Sequence, residues 1–319
     1  MSEIWTMGEM LVEIMRPKAG MHLWQTGEFL GPFPSGAPAI FIDTVARLGH
    51  DAGIIGAVGE DDFGLCLLNR LRSDGVDVRY VETVRDRATA VAFVTYAEDG
   101  SRKFIFHIDG TPAVMAHFVK DAAMGRPSFF HVMGCSLMAN DTLRMEIFKA
   151  VEHFHALGSR ISFDPNIRPE LLGGRDVMDL VGPVLERSAV LFPGESELRL
   201  IGRDRALLKA VERLFENSTL ETVVLKRGKE GATTYTREAI IETRAYVVRE
   251  VDPTGAGDCF DAGFLCGLLE GKPLEDCGRL AAAAGALDAA TFGPMEGKIS
   301  PQSVQDIIKA GDLRGPLSH

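Results

Sequence analysis

The sequence lacks three features that would define its class at once. None of its apolar runs approaches the roughly 18 residues that a membrane-spanning helix needs. The N-terminus carries acids early and no cationic stretch before an apolar one, so it does not resemble a secretory signal peptide. Cysteine is scarce, with five residues and no CxxC spacing, which favours free thiols in a reducing compartment. We therefore expect a cytoplasmic protein that does not bind membranes.

The chain also lacks an excess of positive charge. Its 34 Lys and Arg residues against 45 Asp and Glu residues give a net charge of −11, which argues against a nucleic-acid-binding surface. An anionic ligand must therefore be held by a local arrangement of donors and not by the overall field. The hydrophobic fraction of 46% and the charged fraction of 25% are those of an ordinary globular protein.

Short apolar segments alternate with amphipathic ones over most of the chain. Five apolar segments have the length of strands: 52–59, 128–134, 160–164, 188–193 and 221–226. Residues 62–75 and about 140–157 have helical periodicity. Strands that are apolar throughout and separated by helices are typical of a parallel sheet covered on both faces. The sequence thus predicts one α/β domain over residues 1–319.

Two stretches break this alternation. Residues 11–33 are irregular and contain Trp24 and two prolines. Residues 88–111 contain two β-rich runs joined by the turn signal Glu98-Asp99-Gly100. Neither stretch fits a strand–helix–strand unit, so we expect the two together to form a small β-layer that projects from the main sheet.

The segment EVDPTGAGDCFDAGF, residues 250–264, points to chemistry. A helix is expected to start here, capped by Thr254 or a neighbour. Three residues present nearly bare backbone N–H groups at that start, where an anion is stabilised: Gly255, Ala256 and Gly257. Asp258 stands beside them, where a carboxylate repels an anionic ligand unless its task is to accept a proton. Phosphoryl transfer to an alcohol needs such a base and such donors.

The string D-P-T-G-A-G-D-x-F, which begins at Asp252, closely resembles the C-terminal signature of the ribokinase-like family of carbohydrate kinases, also called the phosphofructokinase-B family. Residues 35–64 are similar to the family's N-terminal signature, so the resemblance covers essentially the whole chain and is strongest to fructokinase-like members. It implies a three-layer α/β/α sandwich with a mostly parallel central sheet. It also implies a small β-sheet lid over the sugar site, from about 11–33 and 88–111.

The resemblance implies an ATP-dependent sugar kinase with Mg²⁺ as cofactor. Asp258 is then the base that takes a proton from a sugar hydroxyl, and residues 255–257 form the anion hole. Implied nucleotide contacts are Asn166, Arg168, Lys226, Gly228, Gly231 and Gly257, with the small residues of 281–293 beside the adenine. Glu197 is expected to help bind Mg²⁺ through water. The backbone at Asp252 is expected to help bind a monovalent cation such as K⁺.

Three positions depart from the family pattern. The family's Gly-Gly pair is Ser35-Gly36, the Asn that usually contacts the sugar is Ile40, and the Asn of its N-x-x-E motif is Gly194. Sugar contacts must therefore come from elsewhere. The candidates are Glu13, the backbone of Gly36, His107 and Asp258.

Charges near the lid favour a neutral substrate. A sugar carboxylate would meet three acids, Glu13, Asp258 and Asp109. Only His107 and Lys103 would oppose them, and an unpaired buried charge is costly. We therefore predict a neutral ketohexose of the fructose or tagatose type.

Three alternatives remain open at this stage. Two are kinases of the same family, one for 2-keto-3-deoxygluconate and one for nucleosides. The third is a sensor that binds a sugar or nucleotide without turnover, against which the intact Asp258 argues because a sensor needs no base. We expect small-molecule partners only, namely the sugar and ATP, and a homodimer.

Overall fold

The computed structural model describes residues 3–99 and 101–313, so that Gly100, in the predicted lid turn, lies outside the described residues. Its strands in chain order are β1 (Ile4–Met7), β2 (Leu11–Met15), β3 (Leu30–Ser35), β4 (Ala52–Gly59), β5 (Asp77–Val84), β6 (Ala90–Tyr96), β7 (Arg102–His107), β8 (Phe129–Met133), β9 (Arg160–Asp164), β10 (Ser188–Leu191), β11 (Thr222–Lys226), β12 (Ala232–Tyr235) and β13 (Ile240–Thr243). Its α-helices are α1 (Ala37–Arg47), α2 (Asp62–Ser73), α3 (Gly134–Ala139), α4 (Asp141–Ala156), α5 (Pro169–Leu172), α6 (Val177–Leu185), α7 (Glu195–Ile201), α8 (Leu207–Leu214), α9 (Ala256–Leu269), α10 (Leu274–Ala289) and α11 (Pro301–Ala310).

A nine-stranded sheet forms the centre of the molecule, in the order β13-β12-β11-β10-β9-β8-β1-β4-β5. The pairs from β5 to β11 are all parallel, and a β11–β12–β13 meander ends the sheet with antiparallel pairs. Strands β4 and β9 coincide with the predicted segments 52–59 and 160–164. The predicted α/β class with a mostly parallel sheet is confirmed.

Two hydrophobic cores lie on opposite faces of this sheet. The alternation of side chains along β1 shows the division, because Ile4 packs with α1, α9 and α10 whereas Trp5 packs with the side chains of α4 and α6. Both side chains are fully buried. A strand buried on both faces has no polar positions to alternate with apolar ones, which is why these segments read as continuous apolar runs.

A second sheet of four strands, the lid sheet, has the order β3-β2-β6-β7. Strands β2 and β6 pair in parallel, and β3 and β7 add antiparallel at the two edges. At the end of β2, the buried Arg16 donates to the carbonyl groups of His22 and Glu28 and lies 3.8 Å from the ring centre of Phe29. One guanidinium thus holds the loop between β2 and β3, a stretch without regular structure of its own.

Among residues 3–99 and 101–313, no helix combines the length and the apolar character that crossing a membrane requires.

Candidate active site

Helix α9 begins after a tight turn that only glycine can make. Gly255 has a φ of +89°, and a Cβ atom there would lie 2.5 Å from the carbonyl oxygen of Pro294. No side chain caps the helix, so the cap expected from Thr254 is wrong. The Thr254 hydroxyl lies 2.6 Å from the Tyr96 hydroxyl instead. The helix start therefore keeps N–H groups without a side-chain acceptor, as an anion site requires.

Asp258 lies in the first turn of α9 and is buried. Its Oδ1 atom is 3.3 Å from Nδ2 of Asn166, the one side-chain donor that it has in the described structure. Burial raises the pKa of Asp258 to about 7, and the negative charge of Asp164 adds to the shift. A carboxylate that titrates near neutral pH is well suited to accept a proton and release it again.

Lys226, at the end of β11, is a partly buried cation between two buried carboxylates. Its Nζ atom is 2.7 Å from Asp164 and 3.1 Å from Asp261. Although burial disfavours the charged form, these carboxylates raise the pKa of Lys226 and keep the ammonium charged. The sequence predicted a nucleotide contact for Lys226. The structure shows an ammonium that already has ionic partners.

Two clefts meet at the start of α9. The lid cleft, of about 570 Å³, lies between the lid sheet and α9, and Gly255 and Asp258 form part of its wall. The α10 cleft, of about 720 Å³, lies between α9, α10 and the loop after β11, and Ala256 and Gly257 form part of its wall. The bare helix start thus lies between two clefts and forms part of the wall of each.

The α10 cleft contains most of the predicted nucleotide contacts. Lys226, Gly228, Gly231 and Gly257 all line it. So do four small residues of the segment predicted to lie beside the adenine: Ala282, Gly285, Ala286 and Ala289. Tyr246 and Phe260 also line the cleft and were not foreseen. The wall is mainly apolar, which suits a flat aromatic base.

Asn166 and Arg168 follow strand β9. Asn166 has a φ of +38° and is buried, and its Oδ1 atom has no hydrogen-bond partner among the described residues. Arg168 lines the lid cleft. Its guanidinium forms no hydrogen bond or ion pair with the part of the chain that the structure describes. Both side chains therefore have donors or acceptors to offer a ligand.

Glu197 and Asp252 are both held by backbone N–H groups. The carboxylate of Glu197 accepts from Ile167 and Gly194, each at 2.7 Å. That of Asp252 accepts from Thr254 N at 2.9 Å and Gly293 N at 3.0 Å, and from the Tyr96 hydroxyl. Both carboxylates therefore hold loops in place through backbone N–H groups, and this role does not depend on a bound ion.

Two predicted sugar contacts line the lid cleft from the side of β2 and β3. Glu13 accepts a hydrogen bond from Ser35 Oγ at 2.7 Å, whereas its buried Oε2 atom has no partner among the described residues. Burial raises the pKa of Glu13 to about 7. Gly36 has a φ of +103°, and a Cβ atom there would lie 2.6 Å from the carbonyl oxygen of Glu9. Ile40 contributes an apolar surface to the same wall.

The prediction for His107 has to be corrected. Along β7, the residues that line the lid cleft are Arg102, Phe104, Phe106 and, just after the strand, Ile108. Because side chains alternate between the faces of a strand, Lys103 and His107 point away from the cleft, and both are exposed. The ring of His107 packs edge-on against Phe93, with 5.8 Å between ring centres.

The lid cleft also contains residues that sequence reasoning missed. Glu9 is buried in its wall and accepts from Cys135 Sγ at 3.1 Å and from the Ser136 hydroxyl. Arg102 was missed although a signal existed. It occupies the same alternating positions as the apolar residues 104, 106 and 108, so one face of β7 had to carry all four.

Behind Gly255 lies a buried acid, Asp288, beside the thiol of Cys259. Neither carboxylate oxygen of Asp288, near the end of α10, has a hydrogen-bond partner among the described residues. Its Oδ2 atom would lie 3.0 Å from a Cβ atom placed on Gly255. Burial raises the pKa of Asp288 to about 9, and the charges of Asp258 and Asp252 add to the shift.

Comparison with known proteins agrees with this geometry. Residues 22–300 match the sequence pattern of the pfkB family carbohydrate kinases. A fructokinase of Salmonella typhimurium is 31% identical over 303 residues, which are 92% of this chain and 95% of that protein. An Escherichia coli protein provisionally called ribokinase II, solved with ATP and Mg²⁺, is 39% identical with a TM-score of 0.91 over 97% of this chain and 100% of that one. A double-mutant fructokinase of Vibrio cholerae with fructose, ADP and potassium is 25% identical, with a TM-score of 0.82 over 96% of this chain and 98% of that one.

The pKa of Asp258 leads to a pH prediction. A base must be deprotonated, and its pKa is raised to about 7 by burial, so kcat/KM should fall about tenfold per pH unit below that value. The measurement is the release of ADP between pH 5 and pH 9. A rate that stays flat down to pH 5 would show that another group accepts the proton.

Asp288 leads to a stability prediction. Its folded pKa of about 9 lies far above that of an unfolded Asp, about 3.9, so the folded state is progressively destabilised as pH rises through this window. Asp288→Asn should therefore raise Tm at pH 8 and leave it nearly unchanged at pH 4. Asp306→Asn, on the exposed face of α11, is the control and should change Tm little at either pH. A lower Tm for Asp288→Asn at pH 8 would mean that a bound cation stabilises the carboxylate.

Proposed function

Because the chain belongs to the pfkB family of carbohydrate kinases, we propose that it transfers the γ-phosphoryl group of ATP to a hydroxyl group of a small carbohydrate. One observation carries the proposal. Asp258 and the uncapped start of α9 stand where a cleft suited to a nucleotide meets a cleft with free polar groups for a sugar.

The reaction needs a proton acceptor and a place for the moving charge. The sugar hydroxyl gives its proton to the carboxylate of Asp258, and its oxygen forms a bond to the γ-phosphorus as the bond to the ADP oxygen breaks. The N–H groups of residues 255–257 stabilise the charge that develops on the transferring group. Because these groups are fixed by the turn at Gly255, they need no reorganisation during transfer.

Arg168 supports the phosphoryl group from the other side. Its charge is maintained because, although burial disfavours it, nearby groups that include Asp258, Asp164 and Glu197 raise the pKa of the guanidinium. With no ionic partner among the described residues, it can bind phosphate oxygens in the bidentate way that a guanidinium favours. Lys226 acts indirectly, by holding Asp164 and Asp261 in place.

The residues fit a magnesium ion that arrives with ATP. The partnerless Oδ1 atom of Asn166 is a hard oxygen donor, and the carboxylate of Glu197 accepts from the N–H of the residue next to it, Ile167. We propose that Glu197 holds water molecules of the hydrated ion, with Asn166 nearby. When bound, Mg²⁺ neutralises charge on the phosphates.

A monovalent cation fits less simply. The carboxylate of Asp252 is already bonded to Tyr96, Thr254 and Gly293, so it can serve a K⁺ ion only through backbone carbonyl groups of its loop. We retain that backbone role as a proposal, supported by the potassium in the related Vibrio cholerae fructokinase.

Closure of the lid sheet over the lid cleft and the homodimer remain predictions. The lid sheet already touches the catalytic loop, because Tyr96 at the end of β6 bonds to Asp252 and Thr254. Further closure would exclude water, which competes for the phosphoryl group.

Asp258→Asn should lower kcat by about 10²- to 10⁴-fold, the usual contribution of a positioned base. The side chains have almost the same shape, so ATP binding should hardly change. Because burial raises the pKa of Asp258 to about 7, the variant should have a Tm at neutral pH that is no lower than that of the wild type. Coupled ADP release over a panel of sugars measures the rate. The matched control is Asp109→Asn, an exposed acid just after β7 that should keep full activity. A loss of less than tenfold would rule out Asp258 as the base.

Gly257→Val should reduce kcat more than it changes the KM for the sugar. A Cβ atom at Gly257 fits the structure, with Lys226 Nζ as its nearest neighbour at 3.7 Å, so folding should be preserved. The valine would crowd the space in front of N–H groups that act on charge present only during transfer. Steady-state kinetics separate the two parameters. A normal kcat with weaker ATP binding would mean that the glycines contact only the ground-state phosphates.

A further inference from the structure

The lid cleft carries positive charge that the sequence did not reveal. Arg102 from β7 and Arg168 from the turn after β9 both line it. In the described part of the chain neither guanidinium forms an ion pair, and the one hydrogen bond is a long one of 3.5 Å from Arg102 to the Thr254 hydroxyl. The cations on which the neutral-substrate prediction relied, Lys103 and His107, face away. The neutral-substrate prediction therefore considered the residues on the face of β7 that points away from the cleft, and it missed Arg102 on the face that lines it.

The acids of the cleft do not cancel this charge. Glu9 is occupied by Ser136 and Cys135, and burial raises its pKa. Glu13 is bonded to Ser35, and Asp258 is the proposed base. Each of these acids is buried, and burial raises its pKa, whereas a guanidinium is charged at any physiological pH. The third acid of the neutral-substrate prediction, Asp109, is exposed and does not line the cleft.

The two arginines share some neighbours and differ in others. Both guanidinium charges act on Glu13 and Asp258. Arg168 also interacts with Asp164 and Glu197, beside the proposed metal ion. Arg102 belongs to the lid sheet, and its charge also acts on Tyr96 of that sheet. Because Arg168 lies beside the acids near the proposed metal ion, we expect it to bind the γ-phosphoryl group. Arg102 is then free to bind the sugar substrate.

The rest of the wall combines apolar and polar groups. Its apolar side chains are Leu11, Ile40, Phe104, Phe106, Ile108 and Leu171. Its polar groups include one Glu13 oxygen without a partner among the described residues, the Asp258 carboxylate and the two guanidinium groups. A guanidinium without an ionic partner among the described residues fits a ligand that carries an anionic group.

We infer that the preferred substrate is a sugar acid, a polyhydroxy compound whose carboxylate pairs with Arg102 while one of its hydroxyl groups reaches Asp258. The inference rests on the kinase function proposed above. A carboxylate matches the planar fork of a guanidinium with two parallel hydrogen bonds, which a hydroxyl group cannot do. Arg102 is thus the residue that determines specificity between charged and neutral sugars.

The test compares kcat/KM for 2-keto-3-deoxygluconate, gluconate and galacturonate with that for fructose and tagatose. At least one acid should exceed both neutral sugars by tenfold or more. Arg102→Gln keeps a polar side chain with the same first three carbon atoms, shortens it and removes its charge. It should lower kcat/KM for the preferred acid by about 10²-fold, the loss typical of removing one partner of a close charge pair, and for fructose by less than about threefold. Lys103→Gln, the neighbour on the opposite face of β7, should change neither value.

Two kinetic results would overturn the inference. Equal losses on acid and neutral sugars in Arg102→Gln would assign this arginine to the γ-phosphoryl group. A wild-type preference for fructose or tagatose would restore the neutral substrate and leave the kinase function intact.

A binding readout separates this inference from the kinase function. The thermal shift of the protein with each sugar acid is measured for the wild type and for Arg102→Gln. If no sugar is phosphorylated but an acid raises Tm only when Arg102 is present, the anion site stands and the kinase proposal fails. If no acid of the panel is phosphorylated or raises Tm, the inference itself is wrong.

Discussion

The site depends on one cation that lies between two buried carboxylates. The ammonium of Lys226, at the end of β11, lies between Asp164, at the end of β9, and Asp261, inside α9. A charge that is buried without partners is so costly that removing one member of such a group commonly destabilises a protein by about 3–5 kcal/mol. The ammonium therefore ties the carboxyl ends of two central strands to α9. Because Asp258 precedes Asp261 by less than one helical turn, this connection also fixes the position of the proposed base.

The same group of charges sets the chemistry of Asp258. Burial and the negative charge of Asp164 raise its pKa, whereas Lys226 and Arg168 lower it, and the balance lies at about 7. Neither burial alone nor the ion pair alone would give that balance. If burial alone acted on the carboxylate, its pKa would be so high that it would keep its proton at neutral pH. If only a neighbouring cation acted on it, its pKa would be so low that it would be a weak proton acceptor. The structural ion pair and the catalytic pKa are therefore one arrangement.

The sequence was informative where the signal is local. Strands β4 and β9 could be predicted to the residue because strands buried on both faces are apolar throughout, and the run 255–258 carries its chemistry in consecutive residues. The lid cleft was predicted less well. Whether Arg102 or His107 faces the ligand depends on which face of β7 is covered, and only the packing of the lid sheet decides that. Glu9 and Tyr96 reach the site through contacts with residues 127 and 156 positions away, which no local pattern contains.

The lid joins recognition to catalysis at one pair of residues. Tyr96 and Arg102 lie opposite each other on β6 and β7. Tyr96 bonds to Asp252 and Thr254, and Arg102 reaches the Thr254 hydroxyl. Both strands of this pair therefore contact, at the same end, the loop whose next residue, Gly255, shapes the proposed anion hole. A substrate anion that draws Arg102 into the cleft therefore acts on the strand pair that holds this loop. In the proposed reaction, part of the binding energy of the charged group can thus order the N–H groups that stabilise the transferring phosphoryl group. A neutral sugar leaves Arg102 unpaired and lacks that contribution.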